Sequence, residues 1–134
     1  MNKIVIDATG ARLGRLASFA AKQALLGKDV VIVNCKAAIV TGHKRSVIDE
    51  YKITRQRGGS SLNGPHFPQS PEKIIKRTVR GMLSYKQGRG LVALKRIICH
   101  TNVPAEFEQI KKPFIAQKPT LAKSISLADL SKEI

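Results

Sequence analysis

Two β-branched runs bracket one amphipathic helical stripe in the first quarter of the chain, and that arrangement restricts the fold more than any other feature. Lys3-Ile4-Val5-Ile6-Asp7 predicts a strand. Thr9-Gly10 turns the chain. From Arg12 the apolar positions Leu13, Leu16, Ala17, Ala20 and Ala24 recur at helical spacing, and Gly27 predicts the helix stop. Val30-Val31-Ile32-Val33 is apolar at every position, the pattern of a parallel strand covered on both faces. Strand, helix and strand within about 30 residues form one βαβ unit with a right-handed crossover.

The remaining elements extend this α/β reading. Ala37 to Thr41 is ambiguous between a strand and a helical turn. Gly42-His43-Lys44-Arg45 reads as a basic turn, and Val47, Ile48 and Tyr51 space as a short helix running to about Arg55. Residues 57–69, rich in Gly, Ser, Asn and Pro, form a long loop with little reason to order by itself. Ser70-Pro71-Glu72 is a helix start: Ser suits the cap, Pro the first helical position, Glu the positive helix end. That helix runs to about Leu83, with Ile75, Val79, Met82 and Leu83 inward and Ile74 and Thr78 flanking. Residues 85–90 read as a basic loop, Leu91 to Arg96 as a short helix, and Ile97 to His100 as the last strand.

Past Pro104 the texture changes. Pro113 and Pro119 interrupt Lys111 to Lys123, which reads as an extended arm, and Ser126-Leu127-Ala128-Asp129 resembles a capping box opening a terminal helix. The expected organisation is an α/β core over residues 1–104, with an RNA-contacting loop near 57–69, then an arm and short helix over 105–134. A length of 134 residues suits one such domain. With no Trp, four Phe and two Tyr, its core must be mainly aliphatic.

Charge addresses function. There are 24 Lys and Arg against 9 Asp and Glu, a net +15. Self-repulsion on that scale points to a polyanionic partner. From Lys73 to Ala105 there are eight basic residues and no acid. No apolar run approaches the roughly 18 residues of a membrane span, and no signal peptide is visible. Cys35 and Cys99 lie far apart and read as reduced, buried small hydrophobes. No Cys or His pair has the spacing of a zinc site, so no metal and no cofactor is expected.

Enzyme chemistry finds little support. Gly10 and Gly14 precede and enter a helix, but their spacing fits neither a dinucleotide fingerprint nor a P-loop. Gly14 is better read as allowing helix and strand to pack closely, and Asp7 as a turn former accepting N–H groups near Thr9. His43, His66 and His100 form no visible set with a nucleophile and an acid. The chain is expected not to be an enzyme and to have no small-molecule substrate.

RNA binding fits better. Phosphate contacts favour Lys, Arg and closely approaching Gly-rich backbone. The candidates are Arg12 and Arg15; His43, Lys44 and Arg45; Arg55 and Arg57; Lys73, Lys76, Arg77 and Arg80; and Lys86 and Arg89. The four from Lys73 to Arg80 fall at i, i+3, i+4 and i+7, one exposed stripe of a helix. An aromatic content of 4% argues against readers that stack bases on rings and leaves a protein fitted to folded RNA.

Residues 7–18, DATGARLGRLAS, resemble the opening signature of the universal large-subunit ribosomal protein L-thirteen family. Val31 to Asn34, Val40 to Arg45, Pro71 to Leu83 and Gly90 to Arg96 also fit it, so the likeness spans about residues 3–104. The short Gly27-to-Val30 connection and Gly64 to Pro68 are similar to the archaeal and eukaryotic branch. The resemblance implies a three-layer α/β/α fold with a small, mainly parallel four-stranded sheet of order 3-2-1-4. It also implies a structural role in the large ribosomal subunit, in the cytoplasm, bound to large-subunit ribosomal RNA beside other ribosomal proteins.

Overall fold

A computed structural model describes residues 3–56, 68–113 and 123–133. The first βαβ unit is β1 (Lys3–Asp7), α1 (Leu13–Leu25) and β2 (Asp29–Val33), with β1 and β2 parallel and Ile4 opposite Val30. Gly27 follows α1 at φ +95°, a left-handed conformation that glycine adopts without a Cβ penalty. After β2, Asn34 adopts φ 57° and breaks the strand into a single 3-10 turn, Cys35–Ala37. β3 (Ile39–Thr41) follows. The ambiguous stretch is thus a turn and then a strand.

The next elements are α2 (Lys44–Gln56), α3 (Pro71–Met82), α4 (Gly88–Lys95), β4 (Ile97–Cys99), β5 (Lys112–Pro113), β6 (Ser124–Ser126) and α5 (Leu127–Glu133). The main sheet is parallel in the order β4-β2-β1-β5, while β3 pairs antiparallel with β6 in a second, two-stranded sheet.

Strand alternation divides the core in two. Ile6, Val30, Ile32 and Ile97 point to one face, where they meet Leu16, Ala20 and Ala24 of α1, Ile74, Ile75 and Val79 of α3, and Ala93 of α4. The alanines of α1 carry little bulk, so α3 and α4 can pack close against it. Val5, Val31 and Val33 point to the other face, where the described residues place Phe107 and Val103. Phe107 sits at the end of a 3-10 turn, Ala105–Phe107. β2 is buried on both faces, as its uninterrupted apolar run predicts.

The C-terminal residues join the first core. Ile125, Leu127 and Leu130 are buried within it, and α5 packs against the Cys35–Ala37 turn and α3. Ser126 Oγ accepts a hydrogen bond from the Asp129 N–H at 3.3 Å, the capping interaction that the spacing predicts.

Several local expectations need correction. Met82 is 47% exposed, whereas Ile74 is fully buried. The helix ends at Met82, and Leu83, buried as expected, reaches the core from an extended residue after the helix (φ −109°, ψ 151°). Ser70 stands at the N-cap without a side-chain cap bond, so Pro71 is the operative start signal. Lys44 and Arg45 open α2 and Arg89 lies in the first turn of α4, so these residues are helical rather than in loops. The last strand ends at Cys99. Gly14 is exposed and a Cβ there would meet nothing within 4 Å, so it mediates no close helix–strand contact. Residues 57–67 of the expected RNA-contacting loop and 114–122 of the arm lie outside the described residues.

Candidate nucleic-acid interface

α3 carries the densest basic surface. Lys73, Lys76, Arg77 and Arg80 line one groove of about 260 Å³ with Pro68 and Leu94. The helical spacing therefore does bring the four together, but not as a uniformly exposed stripe. Lys73 and Arg80 are exposed, whereas Lys76 and Arg77 are half-buried. Sequence alone offered no sign that Leu94, on the next helix, would form part of the wall.

Lys76 reaches across to the end of α4. Its ammonium donates to the Leu94 carbonyl at 2.8 Å and also to the carbonyl of Ile97. A cation at a helix C-terminus satisfies carbonyls that have no intrahelical donor and faces the negative end of the dipole. Burial pulls the Lys76 pKa below its ordinary value. Arg96 acts similarly one layer deeper: its Nη1 donates to the Ala24 carbonyl at 2.9 Å, near the end of α1. Two basic residues of the acid-free stretch are thus committed to internal contacts. Burial, with the Glu50 carboxylate, raises the Tyr51 pKa, and the Arg77 guanidinium works against them.

Arg80 lies over the Tyr85 ring, its guanidinium carbon 5.1 Å from the centroid. This stacking holds the charge at the exposed end of α3. Lys86, in the turn after Tyr85, and Arg89, at the start of α4, are also exposed. The close approach of α4 to that turn depends on Gly90, whose hypothetical Cβ would lie 2.0 Å from the Ser84 carbonyl oxygen. Gly90 is buried and serves packing, so it is not backbone offered to a phosphate.

Further basic residues lie at the starts of α1 and of α2. Arg12 is the half-buried N-cap residue of α1 and its backbone bridges to Ile39, while Arg15 one turn later is exposed. Gly42, at φ +133°, closes the β3–β6 pair by donating its N–H to the Lys123 carbonyl at 2.7 Å. His43, Lys44 and Arg45 follow it, all exposed. Arg55 lies near the end of α2, and Arg57 is outside the described residues. Between β1 and α1, Asp7 Oδ1 accepts from the Thr9 N–H at 3.0 Å and its hydroxyl at 2.6 Å, and Thr9 Oγ1 accepts from Asn34 Nδ2 at 2.6 Å. Asp7 is a turn former in the structure as in the sequence.

The chemistry available is charge and hydrogen-bond donation to an anion. Among the described residues no group of three or more His, Cys, Asp or Glu could hold a metal ion. No helix among them is long and apolar enough to cross a membrane.

Comparison with known proteins agrees with this character. The profile of the family described as Ribosomal protein L13 matches residues 1–106. Archaeal proteins named large ribosomal subunit protein uL13 are similar over almost the whole chain. The protein of Methanosarcina barkeri is 41% identical, over 97% of this chain and 96% of its own length. That of Archaeoglobus fulgidus is 43% identical, over 96% and 85%. That of Methanocaldococcus jannaschii is 41% identical, over 97% and 96%. The chain belongs to the ribosomal protein L13 family.

Proposed function

We infer that this protein is a structural constituent of the large ribosomal subunit that binds large-subunit ribosomal RNA, works in the cytoplasm and is not an enzyme. The observation that carries the reading is the near-complete match to proteins named for that subunit. Its net charge of +15 supplies the electrostatic attraction that RNA binding requires.

Exposure divides the candidate RNA contacts. Lys73, Arg80, Lys86 and Arg89 form one exposed set from α3 to α4, and Arg15, His43, Lys44 and Arg45 a second. Arg12, Lys76 and Arg77 are half-buried and add charge while shaping the surface. Arg55, near the end of α2, and Arg57, outside the described residues, complete the candidates. Folded RNA is read through its shape, phosphates and 2′-OH groups, and rows of cations on rigid helices suit that task. Neighbouring large-subunit proteins are the other expected partners.

Sedimentation tests the reading. Tagged protein expressed in an archaeal host should travel with large-subunit particles through a high-salt gradient. Protein that stays at the top, with thermal stabilisation by a nucleotide instead, would support an enzyme on the same fold class and overturn the ribosomal assignment.

A further inference from the structure

Cys35 and Cys99 are 64 positions apart in sequence, yet the parallel sheet joins them. Ile32 on β2 stands opposite Cys99 on β4. Three residues past Ile32 the chain reaches Cys35, whose N–H donates to the His100 carbonyl at 3.1 Å, while the His100 N–H donates to the Ile32 carbonyl at 2.8 Å. This ladder brings the two residues side by side, with Cys99 packed against the core cluster that contains Cys35. Both are free.

Their surroundings differ. Cys35 is fully buried, and its thiol donates to the Ile32 carbonyl at 3.6 Å. Cys99 is half-buried and lines a hollow of about 320 Å³ with Glu72, Lys73, Lys76 and Lys95. One cysteine therefore lines an open hollow and the other is buried. We propose that Cys99 and Cys35 are a modifiable thiol pair, in which Cys99 reacts with a low-molecular-weight disulfide and Cys35 resolves the adduct into an intrachain bond.

The step balances. The Cys99 thiolate attacks one sulfur of RSSR, forms a mixed disulfide and expels RS⁻. Cys35 then loses its proton and attacks Cys99 Sγ, expelling the second RS⁻. Two protein thiols are oxidised by two electrons, and RSSR is reduced to two RSH, which take up the two protons. The groups around Cys99 favour this order. The neighbouring Cys35 thiol and the charge of Lys76 pull its pKa below the usual thiol value, against burial and the Glu72 carboxylate. The neighbouring Cys99 thiol and burial push the Cys35 thiol up. Lys73 and Lys95, both exposed, line the same hollow and add positive charge there.

Folded protein incubated in an oxidised glutathione buffer, then acid-quenched for intact mass and peptide mapping, tests this. The expected product lacks two hydrogens and carries a Cys35–Cys99 peptide, and Cys35→Ala accumulates one glutathione on Cys99 instead. Cysteines that remain reduced, or that both take up glutathione without a crosslink, would overturn the proposal. If Cys35→Ala does not fold, Cys99→Ala decides. An unmodified Cys35 over the time in which the wild type crosslinks supports the pair, and a Cys35 modified at the wild-type rate overturns it.

Discussion

The Lys76 ammonium donates to the main-chain carbonyl oxygen of Leu94 at 2.8 Å, tying the middle of α3 to the end of α4. A side chain that sequence periodicity assigns to a solvent-facing RNA stripe therefore spends its donors inside the protein. Lys76→Met should lower stability by about 1–2 kcal/mol, because carbonyls at the α4–β4 junction lose a charged donor. Urea unfolding of the two proteins measures the difference, and an unchanged midpoint would show that water replaces the ammonium without cost.

Lys73 and Arg80 have the opposite profile, since both are exposed on the same groove. Lys73→Glu with Arg80→Glu should change stability by about 0.5 kcal/mol or less per site. The pair should weaken binding to a ribosomal RNA fragment strongly and flatten its salt dependence by roughly 1.5 in log–log slope, two contacts' worth of released counterions. Val79→Asp on the buried side of α3 should unfold or loosen the domain by burying an unpaired charge. Equal RNA affinity in the double variant would move the binding face to Arg15 and the His43–Arg45 segment.

Salt dependence of the wild type tests the electrostatic basis itself. If about six phosphates are contacted, log affinity should fall against log salt with a slope of roughly −4 to −5. A flat titration would mean that shape and hydrogen bonding, not counterion release, dominate.

Glycine substitutions separate packing from flexibility. Gly90→Ala should cost about 1–3 kcal/mol, because the added carbon meets the backbone of Ser84 rather than a movable side chain. Gly14→Ala, in the exposed first turn of α1 with nothing within 4 Å, should instead stabilise by about 0.4–1 kcal/mol. Thermal unfolding of both variants provides the comparison, and a neutral Gly90→Ala would mean that α4 shifts away from the turn freely.

The C-terminal helix makes a further test. Leu130 is fully buried against the main core, so Leu130→Ala should cost about 2–5 kcal/mol. A loss well below 1 kcal/mol would show that α5 detaches with little effect on the rest.

Periodicity and punctuation by themselves determined β1, α1, β2, the start of α3 and the Ser126 cap. Each depends on neighbours within a few residues: apolar spacing, a left-handed Gly27, Pro71 at a first helical position, a hydroxyl three residues before an N–H. Composition determined the anionic character of the partner, because a charge of +15 needs no coordinates to be read. Tertiary structure alone decided which basic residues remain available to a partner. Lys76 and Arg80 occupy the same periodic stripe, but only Lys76 reaches main-chain carbonyls at the α4–β4 junction, and the approach of α4 depends on Gly90 meeting Ser84. It also decided that Met82 faces outward and that Cys35 lies beside Cys99. Those outcomes depend on where the chain leaves its helices and how strands far apart in sequence register, and local periodicity does not encode non-local contacts.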